Sequence, residues 1–187
     1  MSQTKWSVWR LCRTAMLAAL YVLLNLVSIK AGNLRITFAS LPVVVSALLF
    51  GPVDAALTAL GGEFLNQMLS YGFTPTTALW MIPPAVRGVV IGVAACALRK
   101  TERPLESRPV LCYAVCILAA LGTTVANTAA LALDAKLYGY YTTALVLGDL
   151  SWRVVTGTLI AVIITTAALP LTNLLRRRVR AGRSIHL

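Results

Sequence analysis

The chain reads as an all-α integral membrane protein with six transmembrane helices and both termini in the cytoplasm. Three observations lead there. Hydrophobic residues make up 58% of the 187 and charged residues only 12%, with a mean hydropathy of +0.79, whereas soluble domains carry about 25% charged residues. Apolar runs suited to a bilayer, which asks for about 20 residues per helix, recur along the whole length. Lys and Arg, which give a formal net charge of +11, concentrate in alternate connections between those runs rather than on one basic face.

The first apolar segment, about 11–29, follows Trp6, Trp9 and Arg10. Those residues interrupt the run, and no small-residue cleavage site follows a short apolar core. It is therefore expected to stay as a membrane helix rather than act as a signal peptide. The second, about 39–53, is short and has Pro42 near its start. A tilted or partly irregular course is expected there, which a membrane tolerates only where the backbone is buried in protein. The remaining helices are expected at about 54–72, 76–98, 109–133 and 148–174. No internal repeat or low-complexity stretch interrupts them, so residues 1–187 are expected to form a single membrane domain.

Basic residues set the orientation. They cluster at Lys5, Arg10 and Arg13, again at Arg99, Lys100, Arg103 and Arg108, and finally at Arg176, Arg177, Arg178, Arg180 and Arg183. An even number of helices brings all three clusters to one side, the cytoplasm. This topological use of the charge, with no basic helix interleaved with aromatics, argues against a nucleic-acid partner. Outer connections then fall at about 30–38, 70–76 and 134–147, where Phe38, Tyr71, Phe73, Tyr138, Tyr140 and Tyr141 collect. Lys30 and Arg35 are the exceptions, basic residues in the first outer loop. They fit either a solvated loop or a lid that attracts an anion, for which the planar fork of Arg is suited.

Polar residues inside the apolar segments are the candidates for function. Glu63 and Arg87 lie near the middle of the third and fourth helices. Two readings fit them: an ion pair, or Arg87 facing a pocket with Glu63 orienting it. Asn25, Asn66, Gln67 and Asn127 fall on the outer halves of their helices, where amides serve interhelical hydrogen bonds or a heterocyclic ligand. Thr74-Pro75 and Pro83-Pro84 bracket Trp80, consistent with a kink or with a broken helix start beside a polar site. Asp149 and Arg153 are four apart and share a helix face. The four cysteines, Cys12, Cys96, Cys112 and Cys116, read as small hydrophobes. The single histidine, His186, lies in the tail, which argues against a His-based metal site or a catalytic triad.

Taken together, Ala15-x-x-x-Ala19 in the first helix, the Leu34–Pro42 segment, Leu49-Phe50-Gly51-Pro52 and Gly72-Phe73-Thr74-Pro75 resemble the substrate-binding (S) component of energy-coupling-factor (ECF) vitamin importers, in particular the folate-type subgroup. The resemblance covers residues 10 to 175. The chain departs from the subgroup at Gly62-Glu63, where Gly-Asp is common, and at Pro83-Pro84. The resemblance implies high-affinity binding of a vitamin, folate by expectation, on the outer side of the bacterial cytoplasmic membrane. Delivery would follow together with a transmembrane coupling subunit and two ATPases. Ala15 and Ala19 match the motif that meets the coupling subunit. For the ligand, Asn66, Trp80 and Asn127 are assigned to the ring, Arg35, Arg87 or Arg153 to carboxylates, and Phe38 is counted with them. No catalytic residue, metal or cofactor is expected: the chain has no P-loop, so ATP belongs to the partners. Riboflavin, pantothenate, cobalamin and queuosine-precursor importers share the architecture. A stand-alone proton-coupled transporter with Glu63 as carrier is the rival from another class. A membrane enzyme is disfavoured by a chain with six acids and one histidine.

Overall fold

A computed structural model of the chain describes residues 8–31, 34–99, 105–148 and 150–183. Its elements are α1 (Val8–Leu26), β1 (Ile29–Ala31), β2 (Leu34–Ile36), α2 (Ser40–Phe50), α3 (Pro52–Tyr71), α4 (Thr77–Arg99), a 3-10 turn (Leu105–Ser107), α5 (Pro109–Leu137), α6 (Thr143–Leu147) and α7 (Leu150–Arg183). The helical class expected from the sequence holds, with one addition. The first helix stops at Leu26 rather than 29, and the chain enters a small antiparallel hairpin in which Lys30 pairs with Arg35 and Ile29 with Ile36. The Gly-Asn dipeptide between two short β-branched or apolar triplets is a sequence signal for such a turn.

α2 is shorter than expected, eleven residues. Gly51 ends it at φ 99°, a conformation that favours glycine, and donates its N–H to Ser46 and Ala47 carbonyls. Pro52 then opens α3 where a missing N–H costs nothing. Neighbouring arginines stitch this elbow. Arg99, at the end of α4, donates to the Leu48 and Leu49 carbonyls at 2.6 and 2.5 Å, satisfying groups that the last turn of α2 leaves free. Asp54, buried in the first turn of α3, accepts from Arg10 and Arg13 of α1, both at 2.5 Å. Arg13 also lies over the Phe50 ring, 4.0 Å from its centre.

α4 runs unbroken through Pro83 and Pro84. The two rings leave the Leu79 and Trp80 carbonyls without their usual donors, yet the helix does not restart there. α4 approaches the elbow closely because Gly92 and Gly88 lack side chains. A Cβ at Gly92 would fall 2.4 Å from Pro52 Cα, and one at Gly88 3.1 Å from the Ala55 backbone. α5 extends to Leu137, past the expected end at 133. The segment expected at 148–174 instead begins as short α6, whose first turn is capped by Thr142, and continues as α7 through Pro170.

Small side chains dominate the main core. Ala47, Ala55, Ala95, Cys112, Ala119 and Ala168 pack with Leu48, Ile91 and Ile164 between α2, α3, α4, α5 and α7, as suits helices that associate within a bilayer by close van der Waals contact. Leu105 of the 3-10 turn plugs into the same core. Among the described residues, four helical stretches are long and apolar enough to cross a membrane: Val8–Leu26, Thr77–Arg99, Pro109–Leu137 and Thr143–Arg176. α2 falls short in length. α3 has twenty residues, but Asp54, Glu63, Asn66 and Gln67 reduce its apolar character. The start of α1, the α2–α3 elbow, the end of α4 and the 3-10 turn meet at one end of the bundle. The hairpin and the α3–α4 and α5–α6 connections lie at the other.

Candidate ligand cavity

A cavity of about 490 Å³ lies between α1, α2, α3, α4, α5 and α7, reaching toward the hairpin end. Its volume is in the range of small-molecule sites. Among the described residues, 43, 83, 84, 131 and 160 supply apolar surface, and amides, hydroxyls and three charged side chains supply polar surface.

The α3 wall is organised around Glu63. Its carboxylate accepts from the Tyr21 hydroxyl at 2.7 Å, from Gln67 Nε2 at 2.7 Å and from Asn66 Nδ2 at 3.2 Å. Tyr21 reaches it because Gly62 leaves room for the aromatic ring. Asn66 Oδ1 is buried and has no partner among the described residues.

Opposite, Arg87 of α4 donates its Nε to Thr123 Oγ1 of α5 at 3.3 Å, and the rest of its fork has no partner among the described residues. The ion pair between Glu63 and Arg87 that their depth suggested is not formed. Glu63 is already satisfied by three neutral donors, and Arg87 turns to α5. The ion pairs among the described residues both involve Asp54. Arg153 of α7 completes the charged lining and makes no side-chain hydrogen bond or ion pair among the described residues. Asp149, its suggested helical partner, lies outside the described residues. Among the described residues, one carboxylate and two guanidinium groups leave the lining with an excess of positive charge, and a desolvated charge without a partner is costly. The arrangement therefore favours an anionic group on whatever fills the space.

At the hairpin end, Asp134 of α5 is buried and accepts the hydroxyl proton of Tyr140, while Thr76, just ahead of α4, and Trp80 of α4 also approach its carboxylate. This ties the connection after α5 to the start of α4 and braces Trp80 in the cavity wall. The same hydrogen bond raises the Tyr140 phenol above its ordinary value, because the ionised form would face a carboxylate.

Of the residues singled out in the sequence, Asn66, Trp80, Arg87, Asn127 and Arg153 share this lining. Phe38 does not. Thr37 donates to the Leu24 carbonyl and accepts from the Ala39 N–H, so that Thr37 and Ala39 face the cavity while Phe38 between them turns outward, 41% exposed. The backbone of Arg35 belongs to β2, and its side chain lies outside the described residues. Ala15 and Ala19 are exposed on α1, on a different face from buried Ala18, Tyr21, Val22 and Asn25. Tyr21, Thr123, Thr124 and Thr156 were not singled out in the sequence, yet all four line the cavity. For Tyr21 the signal was present: residues 18, 21, 22 and 25 follow the spacing of one packed helix face.

The model of the ECF-type riboflavin transporter S-component family matches residues 5–177. Among solved structures, the S component of a bacterial ECF transporter is similar at 22% identity and a TM-score of 0.61, over 89% of this chain and 97% of that one. FolT bound with folic acid is similar at 19% identity and a TM-score of 0.57, over 90% and 94% respectively. At these identities the two structures speak to the fold. Comparison with curated proteins finds no match. A helical bundle with a polar cavity and a family match over nearly its whole length is a transporter component rather than an enzyme: the chain belongs to the ECF-type riboflavin transporter S-component family.

Proposed function

We propose that this chain binds an anionic, flat vitamin of the folate type in the cavity and delivers it across the bacterial cytoplasmic membrane with a transmembrane coupling subunit and two ATPases. It does so as a single domain that crosses the bilayer six times, with both termini in the cytoplasm. The observation that carries the substrate reading is that, among the described residues, the Arg87 fork and Arg153 have no acidic partner and the one carboxylate of the lining, Glu63, is occupied elsewhere. Guanidinium groups recognise carboxylates by paired hydrogen bonds, and the glutamate tail of a folate offers them. Asn127 and Trp80 suit the ring, by hydrogen bonding and stacking.

Support for six crossings comes from the way α2 and α3 meet at the elbow. Their shared end is fastened by arginines from the starts and ends of α1 and α4 that topology assigns to the cytoplasm. Exposed Ala15 and Ala19 leave α1 a small-residue face on which the coupling subunit can approach closely.

A second reading, riboflavin, is favoured by the family match. Riboflavin has no carboxylate, so it leaves both arginines without a counter-ion. The deciding experiment is mass spectrometry of small molecules released from the purified, denatured protein, followed by titration with folic acid and riboflavin. Folate recovered at one equivalent supports the proposal, whereas riboflavin recovered instead overturns the folate assignment and keeps the S-component mechanism. Proton-driven uptake by the chain alone in liposomes would overturn the mechanism itself.

A further inference from the structure

Glu63 lies at the junction of α1 and α3, and both of its carboxylate oxygens accept hydrogen bonds, Oε2 from the Tyr21 hydroxyl and Oε1 from the Asn66 and Gln67 amides. Asn66 and Gln67 both turn their NH2 groups toward it. Their carbonyl oxygens are consequently presented on the other side. Neither oxygen has a partner among the described residues, and Asn66 Oδ1 is wholly buried. Both side chains belong to the cavity lining. A buried acceptor without a hydrogen is an exception in folded proteins and marks a place where something else supplies one.

We propose that Glu63 is a positioning residue that fixes the hydrogen-bond polarity of the α3 wall, so that the cavity selects ligands whose buried edge carries N–H donors. This rests on the vitamin reading above and adds to it a rule of selection. The arginine side takes the anion, and the α3 side takes the donor edge of the ring, such as the N–H and amino groups of a pyrimidinone. A ring presenting acceptors there would meet the Asn66 and Gln67 oxygens head-on. Neither amide can turn round to accommodate it, because turning would point an oxygen at the carboxylate. An Asp at position 63 would stop one methylene short of Tyr21, which gives the longer acid a use.

The test pairs each vitamin with an analogue lacking the donor: folic acid with 2-desaminofolic acid, and riboflavin with 3-methylriboflavin. Affinities are measured by fluorescence or calorimetric titration of the full chain in detergent. In the native protein, removing the donor from the vitamin that binds should weaken binding at least tenfold. In Glu63→Gln, whose amide can donate to Asn66 or Gln67 and let one of them turn, that ratio should fall to about threefold or less, even though the parent vitamin binds more weakly. The ratio within one protein is insensitive to a general loss of folding. A native protein that binds a vitamin but does not distinguish its analogue overturns the inference and leaves the vitamin reading standing, and this comparison needs no variant. An unchanged ratio in Glu63→Gln overturns the role of Glu63. Failure of the native protein to bind either vitamin overturns the vitamin reading and this inference with it.

Discussion

The Cβ that Gly62 lacks would lie 2.7 Å from the ring of Tyr21. That vacancy on α3 lets α1 approach until the Tyr21 hydroxyl meets Glu63 at 2.7 Å. Helix contact and cavity chemistry therefore depend on one missing side chain.

Gly62→Ala should push the Tyr21 ring away and break its bond to Glu63, because the clash reaches Tyr21 Cβ as well as the ring and rotation cannot relieve it. Overpacking of this kind costs about 1–3 kcal/mol. A lower melting temperature in detergent and weaker vitamin binding are expected together. Gly61→Ala is the control. Its added Cβ would sit 3.8 Å from Ala18 Cβ, an ordinary contact, and stability should be unchanged or slightly improved, since Ala favours helix over Gly by up to about 1 kcal/mol.

Arg87→Ala and Arg153→Ala should each weaken folic acid binding roughly ten- to a hundredfold, the equivalent of about 1.5–3 kcal/mol for a hydrogen bond to a charged group. Lys at either position should restore part of the loss, since it keeps the charge without the fork. Riboflavin binding should change less. Titrations in which both Ala variants bind folic acid as tightly as the native protein would remove the carboxylate contact from the proposal.

Asp54→Asn should destabilise the protein without contacting ligand. It removes the carboxylate that Arg10 and Arg13, 18% and 27% exposed, share at the α2–α3 elbow. Removing one partner of a buried pair costs about 3–5 kcal/mol. Since both arginines keep some access to solvent, the lower part of that range is expected. Chemical denaturation in mixed micelles reads the change, while the affinity of the remaining folded protein should be near normal.

The bond from Tyr140 to Asp134 predicts a pH response at the alkaline end. The folded phenol is raised above its ordinary value. Its contribution to holding the α5–α6 connection is therefore complete below the ordinary tyrosine range, near pH 10, and is lost as pH rises through the higher folded value. Ultraviolet titration of tyrosinate should show one late-ionising group that disappears in Tyr140→Phe. An identical titration curve for the two proteins would remove the bond.

Much of this architecture could be read from residues in order. Apolar runs placed the long helices, and Gly51-Pro52 marked the elbow because its two backbone restrictions are local. Asn66, Trp80, Arg87, Asn127 and Arg153 were candidates because polar groups in apolar helices are expensive wherever they sit. Three features were less accessible. The hairpin was hidden by continuing an apolar period through Leu26, although Gly32-Asn33 carried a turn signal. Phe38 looked like a ligand residue by type, but which of three successive side chains faces inward depends on how Thr37 is fastened to α1. Arg87 was matched with Glu63 by depth, a measure that does not contain the rotation of either helix.

By itself, then, the sequence determined what each segment is: helix or break, apolar or polar, and which ends are basic. These follow from periodicity, transfer energies and backbone preference, all of which act within a few residues. Tertiary structure alone decided which groups meet. Glu63 bonds Tyr21 from 42 residues away, and Arg87 bonds Thr123 from 36. Such contacts depend on how helices rotate and approach, and here the approach is set by glycines and alanines whose effect is felt only when another helix arrives.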